Sequence, residues 1–209
     1  AGWGREPYLR RALYPVELGA ETFTLRLTPG SDLAQSWLAA APAGASVDCL
    51  GPVGHGFVLS PGVRNLLCLG EEYLSWTLLP LVMQAAAAGL AITLAVEAIL
   101  GRDLIPAPRL PPSVEYHVAT LDGSPPVAAR PPLAARRRRL ATRLPDLLPW
   151  ADAICAAGSP AFYDQLFAAI QAVRFNPAPG FAQVLYPAPI LCGTGACQAC
   201  TVDLNTGRR

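Results

Sequence analysis

The stretch from Val63 to Ala98 limits the fold more than any other part of the chain. It reads "VRNLLCLG", then "EEYLSWTLLPLVMQAAAAG", then "LAITLAVEA". The outer segments are short apolar runs, the second of them β-branched, the pattern of strands buried on both faces. The middle segment is longer and Ala-rich, and it ends at Gly89, so it reads as a helix. Strand, helix and strand in that order form a βαβ unit, which places a parallel α/β module from about residue 62 onward. Leu78 to Leu100 is apolar for long enough to cross a bilayer. Gly89 divides it, however, and Glu97 lies inside its second half, so the expectation is a buried helix and strand with no transmembrane span.

The pattern continues downstream with "SVEYHVATLDG" (strand, then turn), "WADAICAAG" (strand) and "SPAFYDQLFAAIQAVR" (helix). In that helix Phe162, Leu166, Ile170 and Val173 fall near a 3.6-residue period, and Ser159-Pro160 supplies its start. Upstream, "TFTLRLTP" alternates from Thr22 as a strand does, and "GASVDCLGP" reads as a short strand ending in a turn. A short helix is expected at Leu33 to Ala40. Residues 125–149 are rich in Pro, Arg and Ala, with four arginines at 136–139. They read as a helix with solvated arginines, or as a contact for phosphate or an acidic partner.

Composition excludes some classes. Hydrophobic residues make up 52% and charged residues 15%, so a folded core is expected rather than disorder. The formal charge is +1 and every basic side chain other than histidine is arginine, which gives no global attraction to nucleic acid or acidic membranes. Ala1-Gly2-Trp3 begins without a charged-then-apolar leader, and the expected location is cytoplasmic.

The six cysteines divide into two groups. Cys49, Cys68 and Cys155 lie in apolar runs, where a thiol behaves as a small buried hydrophobe. Cys192, Cys197 and Cys200 occupy "CGTGACQAC", and C-x4-C-x2-C is the spacing of a plant-type 2Fe-2S loop. A loop around a cluster needs backbone amides directed at sulfur, and Gly193, Gly195 and Ala196 allow that close approach. A disulfide framework fits less well, because cysteines this close seldom meet bridge geometry. A zinc site also fits less well, since His55 and His117 belong to different modules. The iron-sulfur reading ranks ahead of both and still requires a fourth ligand.

In order along the chain, "CLGPVGHGF", "NLLCLG", "VATLDGS", "DAICAAGSPAFYDQL" and "LCGTGACQACTVDL" resemble the iron-sulfur electron-transfer subunit of dihydroorotate dehydrogenase, in the ferredoxin reductase superfamily. The resemblance covers nearly the whole chain. It implies an α/β plus β fold: a partial flavin-binding β-barrel at 1–60, a parallel NAD-binding-like α/β domain at 61–185, and the start of a 2Fe-2S domain at 186–209. It implies FAD contacts at Arg11, Tyr14, Gly54, Gly56 and Phe57, and cluster ligands at Cys192, Cys197 and Cys200. The fourth ligand is expected shortly after "DLNTGRR", and the barrel is expected to have strands before residue 1. The implied partner is a redox enzyme, a flavoprotein dehydrogenase subunit, in a hetero-oligomer. No residue of this chain is expected to act as an acid-base catalyst.

The sequence also departs from the family pattern. The flavin signature reads Arg11-Ala12-Leu13-Tyr14-Pro15, with proline where the family has a hydroxyl donor. The stretch before the cysteines, Tyr186-Pro187-Ala188-Pro189, lacks the family's Glu and Arg. The Gly-rich turn after the first α/β strand is replaced by Gly70-Glu71-Glu72-Tyr73-Leu74. Glycines there let amides at a helix start approach a phosphate, whereas two carboxylates repel it. These residues argue against NAD binding in the usual manner. Three readings follow: an electron-transfer subunit with FAD and a 2Fe-2S cluster; a degenerate paralogue kept as a structural or assembly subunit; and a 2Fe-2S redox sensor.

Overall fold

The computed structural model describes residues 10–28, 30, 32–124, 140–204 and 207–208. Its strands are β1 (Pro15–Leu18), β2 (Phe23–Leu25), β3 (Asn65–Glu71), β4 (Ala91–Ala98), β5 (Val114–Thr120), β6 (Ala153–Ala157), β7 (Ala182–Leu185), β8 (Asp203–Leu204) and β9 (Gly207–Arg208). Its α-helices are α1 (Leu33–Ala40), α2 (Leu79–Ala87), α3 (Leu144–Leu147) and α4 (Pro160–Val173). The chain divides into two compact units, one of Ala1–Tyr14, Leu25–Gly56 and Pro187–Arg209, the other of Pro15–Thr24 and Phe57–Tyr186.

The second unit is built on a five-stranded sheet in the order β5-β4-β3-β6-β7, with every neighbouring pair parallel. β3 is central, and its residues from Leu66 to Gly70 are all buried. A strand covered on both faces loses nothing by being apolar throughout, which explains "NLLCLG". Alternate side chains then serve opposite faces. Leu67 and Leu69 pack with Ile154, Ala156, Phe162, Leu166, Ile170 and Phe181, and with Leu140, Leu144 and Leu148 from the segment leading into β6. Helix α2 and the 3-10 turn before it pack against β1 and β4. Val82, Leu78 and Leu79 are buried there.

Two helix details follow from local chemistry. α4 starts where Ser159 Oγ accepts from the Phe162 amide and Pro160 occupies the first turn, where a missing N–H costs nothing. At its other end the Arg174 guanidinium donates to the Ala151 carbonyl at 2.7 Å and lies over the Phe181 ring at 4.3 Å. Phe162, Leu166 and Ile170 are buried as the period requires, but Val173, the last residue of α4, is 36% exposed. The helix expected from Glu71 onward does not begin as an α-helix: Glu72–Leu78 form a 3-10 turn and α2 begins at Leu79. Pro80 accounts for this. Farther inside an α-helix its ring would strike the carbonyl four residues back, so it is accommodated only in a first turn.

The second unit also has an open hollow of about 430 Å³ with a mixed lining that includes Phe57, Leu59, Ser60, Leu81, Gln84 and Leu90. It lies beside the residues that lead into β3 and β4, at the amino end of the sheet.

In the first unit, α1 spans Leu33–Ala40 as expected, capped by Asp32, whose carboxylate accepts from the Gln35 amide at 3.0 Å. The short strand expected at 44–52 does not form: that stretch is exposed coil, and Cys49 is exposed rather than buried. Gly44 and Gly51-Pro52 bound the run, and residues 45–50 between them are all exposed, so no buried face holds them as a strand. Cys68 and Cys155 are buried as expected. Among the described residues of 10–60 the strands are β1 and β2. The four-arginine run at 136–139 lies outside the described residues. Among the described residues no helix is long and apolar enough to cross a membrane.

Candidate functional site

The sheet order places a reversal between β3 and β6. From β3 the chain moves outward to β4 and β5, then returns to β6 on the other side. In open α/β sheets the crevice beyond the carboxyl ends of two such strands is where ligands bind, usually with a phosphate on helix amides. The carboxyl ends here carry Gly70 and Glu71 as the last residues of β3 with Glu72 after them, and Gly158-Ser159 after β6.

The chain's own side chains already satisfy the amides of this crevice. Glu71 Oε2 accepts from the Ser159 amide at 2.8 Å, at the residue that caps α4. The Gly158 amide donates to the Tyr163 hydroxyl at 2.8 Å, and that hydroxyl in turn donates to the Leu185 carbonyl. Glu72 Oε1 accepts from the Ile99 amide at 2.8 Å, beyond the end of β4. Glu97 at the end of β4 accepts from the Leu140 amide. The Gly101 amide donates to Ser124 Oγ at 2.7 Å, and Ser124 is itself held by Asp122.

Packing at this end is close. A Cβ on Gly70 would stand 2.4 Å from Ser75 Cβ, and one on Gly158 would stand 2.6 Å from Phe162 Cδ1 and 3.0 Å from Glu71 Cβ. Glu72 adopts φ 50°, a left-handed conformation that a side chain disfavours. Burial raises the Glu72 pKa, the Ile99 amide opposes that rise, and Asp103, Glu71 and Glu97 add like-charge repulsion.

The cysteine loop lies in the first unit. Cys192 Sγ and Cys197 Sγ are 3.3 Å apart, and the Thr194 amide points to Cys192 Sγ at 3.4 Å. Gly193, Gly195 and Gln198 all have positive φ, which folds the backbone tightly enough to aim amides inward. Hydrogen bonds from the Cys197 and Thr194 amides pull the Cys192 pKa down to about 6. Gly193 has no room for a side chain, since a Cβ would stand 2.7 Å from Leu50 Cδ2 and 3.1 Å from Arg10 Cδ. Arg10 is fixed there by Asp48 at 2.9 Å and by the hydrogen bond its backbone amide donates to the Leu191 carbonyl at 3.2 Å. Two sulfurs and an anion-stabilising turn therefore fit one side of a cluster. Among the described residues, however, no three His, Cys, Asp or Glu side chains are gathered as a metal would need, so Cys200 is not brought in with the other two.

The residues expected to contact flavin are placed as follows. Arg11 Nε lies 3.5 Å from Asp32 Oδ2, and its guanidinium also donates to the Arg10 carbonyl. A diphosphate at Arg11 would share it with Asp32. Tyr14 is half-buried. Gly54 has φ 82° in the turn 54–57, a conformation that requires glycine, and Phe57 is half-buried. In the second unit, His117 is engaged by Glu115 at 2.7 Å and by Arg143 at 2.8 Å. Sequence reasoning singled out the two carboxylates after β3 but missed Tyr163. A tyrosine one turn into a helix carries no mark in sequence that its hydroxyl reaches back to a strand-end amide.

No protein-family model matches the sequence, and no curated protein matches it. Solved structures do match. A NADH-dependent reduced ferredoxin-NADP oxidoreductase, described for flavin-based electron bifurcation, aligns over 94% of this chain and 67% of its own, with TM-score 0.68 and 19% identity. An intact type IV self-sufficient cytochrome P450 monooxygenase aligns over 78% of this chain and 20% of its own, with TM-score 0.53 and 16% identity. The chain thus spans about two thirds of the first and a fifth of the second. At these identities the likeness shows the fold, which is ferredoxin reductase-like.

Proposed function

We propose that this chain is an electron-transfer component that works with a bound flavin and a 2Fe-2S cluster, and that hands electrons to or from a partner redox enzyme in a hetero-oligomer. The observation that carries the proposal is the Cys192 loop, in which two thiols and two inward amides converge on the spacing of a 2Fe-2S site. The ferredoxin reductase-like fold supports it, because both matched structures are named for oxidoreductases and the first for flavin-based electron bifurcation.

Each residue has a role in this reading. Cys192, Cys197 and Cys200 would hold iron as thiolates, the first two from sulfurs already 3.3 Å apart. The Thr194 and Cys197 amides stabilise the negative sulfur. Arg11, Tyr14 and the turn with Gly54, Gly56 and Phe57 would hold the flavin, Arg11 by offering positive charge to its diphosphate and the glycines by leaving the backbone open to it. A flavin supplies the conversion between two-electron and one-electron transfer, which a cluster alone does not provide. The subunit relationship to dihydroorotate dehydrogenase is the most specific form of this proposal. The filled crevice after β3 favours a second reading, a structural or assembly subunit that has lost nucleotide binding.

The test is anaerobic purification of the native full-length protein, followed by assays of iron, acid-labile sulfide and released flavin on one sample. Equal iron and sulfide with FAD supports the electron-transfer component. A cluster without flavin favours the assembly reading, and the absence of both overturns the proposal.

A further inference from the structure

We propose that Glu71 and Glu72 act as built-in occupants of the phosphate position at the β3/β6 reversal, so that this domain excludes pyridine dinucleotides. Its redox exchange then runs to a partner that needs no pyrophosphate anchor.

A dinucleotide in a sheet of this order is held by free amides at the helix start after the first strand. Here that start is a seven-residue 3-10 turn, and no α-helix begins until Leu79. The Ser75 hydroxyl donates to the Glu72 carbonyl at 2.7 Å, which tightens the turn over the strand end. Across the reversal the Ser159 amide is taken by Glu71 and the Gly158 amide by Tyr163, and on the β4 side of β3 the Ile99 amide is taken by Glu72. Glu97, placed where an acidic side chain would meet a ribose, is instead committed to the Leu140 amide. An incoming pyrophosphate meets two carboxylates and loses the donors it would use. Displacing Glu71 would also strip the α4 cap residue of its acceptor.

The position of Glu72 shows that the occupancy has a conformational cost. Its φ of 50° is one that glycine adopts freely and glutamate does not. A glycine at 72 would relax the backbone while removing a charge from the crevice. This inference goes beyond the flavin and cluster proposal, and dinucleotide binding is measurable whether or not either cofactor is present.

The experiment titrates the native full-length protein with NADH, NADPH and ADP-ribose by calorimetry and by NADH fluorescence. The comparison uses Glu71→Gly/Glu72→Gly, with folding checked by circular dichroism. The wild type is expected not to saturate at about 1 mM ligand, and the double variant to bind at least about tenfold more tightly. Glu71→Gln/Glu72→Gln keeps an acceptor at each amide and removes both charges. It carries the same test, with a smaller gain, where the glycine variant does not fold. Wild-type binding below about 100 μM overturns the proposal. So does a folded variant pair with no gain, because the exclusion would then not lie in these carboxylates.

Discussion

Replacing Gly70 with alanine probes the turn that closes the carboxyl end of β3. An added Cβ would stand 2.4 Å from Ser75 Cβ and 2.8 Å from Ser75 Cα. Carbon atoms settle at about 3.5–4.0 Å, so the turn must retreat by about 1 Å from a strand that is itself buried. Ser75 is fully buried and its hydroxyl holds the Glu72 carbonyl, so the retreat also strains that bond. Overpacking of this kind costs roughly 2–3 kcal/mol. For a chain of this size that lowers the unfolding midpoint by roughly 5–10 °C. The assay is urea and thermal unfolding followed by far-ultraviolet circular dichroism. Gly70→Ala/Ser75→Gly removes the shorter of the two contacts and should recover about 1 kcal/mol relative to the sum of the single changes. A Gly70→Ala protein within about 0.5 kcal/mol of wild type, with no coupling to position 75, would refute the packing described here.

Three further outcomes follow from the same geometry. Burial raises the Glu72 pKa in the folded state, so the native protein binds a proton that the unfolded chain has lost, and this carboxylate costs stability once the pH exceeds its folded pKa. Glu72→Gln should therefore gain on wild type as pH rises from 4 to about 7, and unfolding curves showing the opposite trend contradict the assignment. Tyr163→Phe removes both the acceptor of the Gly158 amide and the donor to Leu185; a loss of about 1–3 kcal/mol in urea unfolding is expected, and none would show that water replaces the hydroxyl. In protein stripped of metal, Cys192, with its pKa near 6, should be alkylated by iodoacetamide at pH 7 well before Cys155, which burial pushes up to about 12. Peptide mass spectrometry reads the order, and equal rates contradict the amide-stabilised thiolate.

Much of the α/β unit was legible because its signals are local. The apolar runs of β3, β4 and β6, the Ser159-Pro160 start of α4 and its Phe162, Leu166 and Ile170 stripe each lie within one short window. Local pattern places the start of α2 too early, because an Ala-rich run favours helix throughout while Pro80 fixes the first turn at Leu79. The strand expected at 44–52 fails because residues 45–50 have no buried face and, among the described residues, no strand pairs with them. The significance of Glu71 was only half legible. Its charge was visible as an obstacle to phosphate, but its bond to Ser159 joins residues 88 apart in sequence, a pairing that local pattern does not encode. The cysteine spacing was legible at once, whereas the inward amides that lower the Cys192 pKa depend on three left-handed residues, only two of which are glycines.

The central claim is that this chain stores and passes electrons, and stepwise anaerobic reduction of the native full-length protein under visible spectroscopy tests it most directly. The account predicts an uptake of about three electrons per chain, two at a flavin and one at a 2Fe-2S cluster, with bleaching of both chromophores. A spectrum that dithionite leaves unchanged would contradict it.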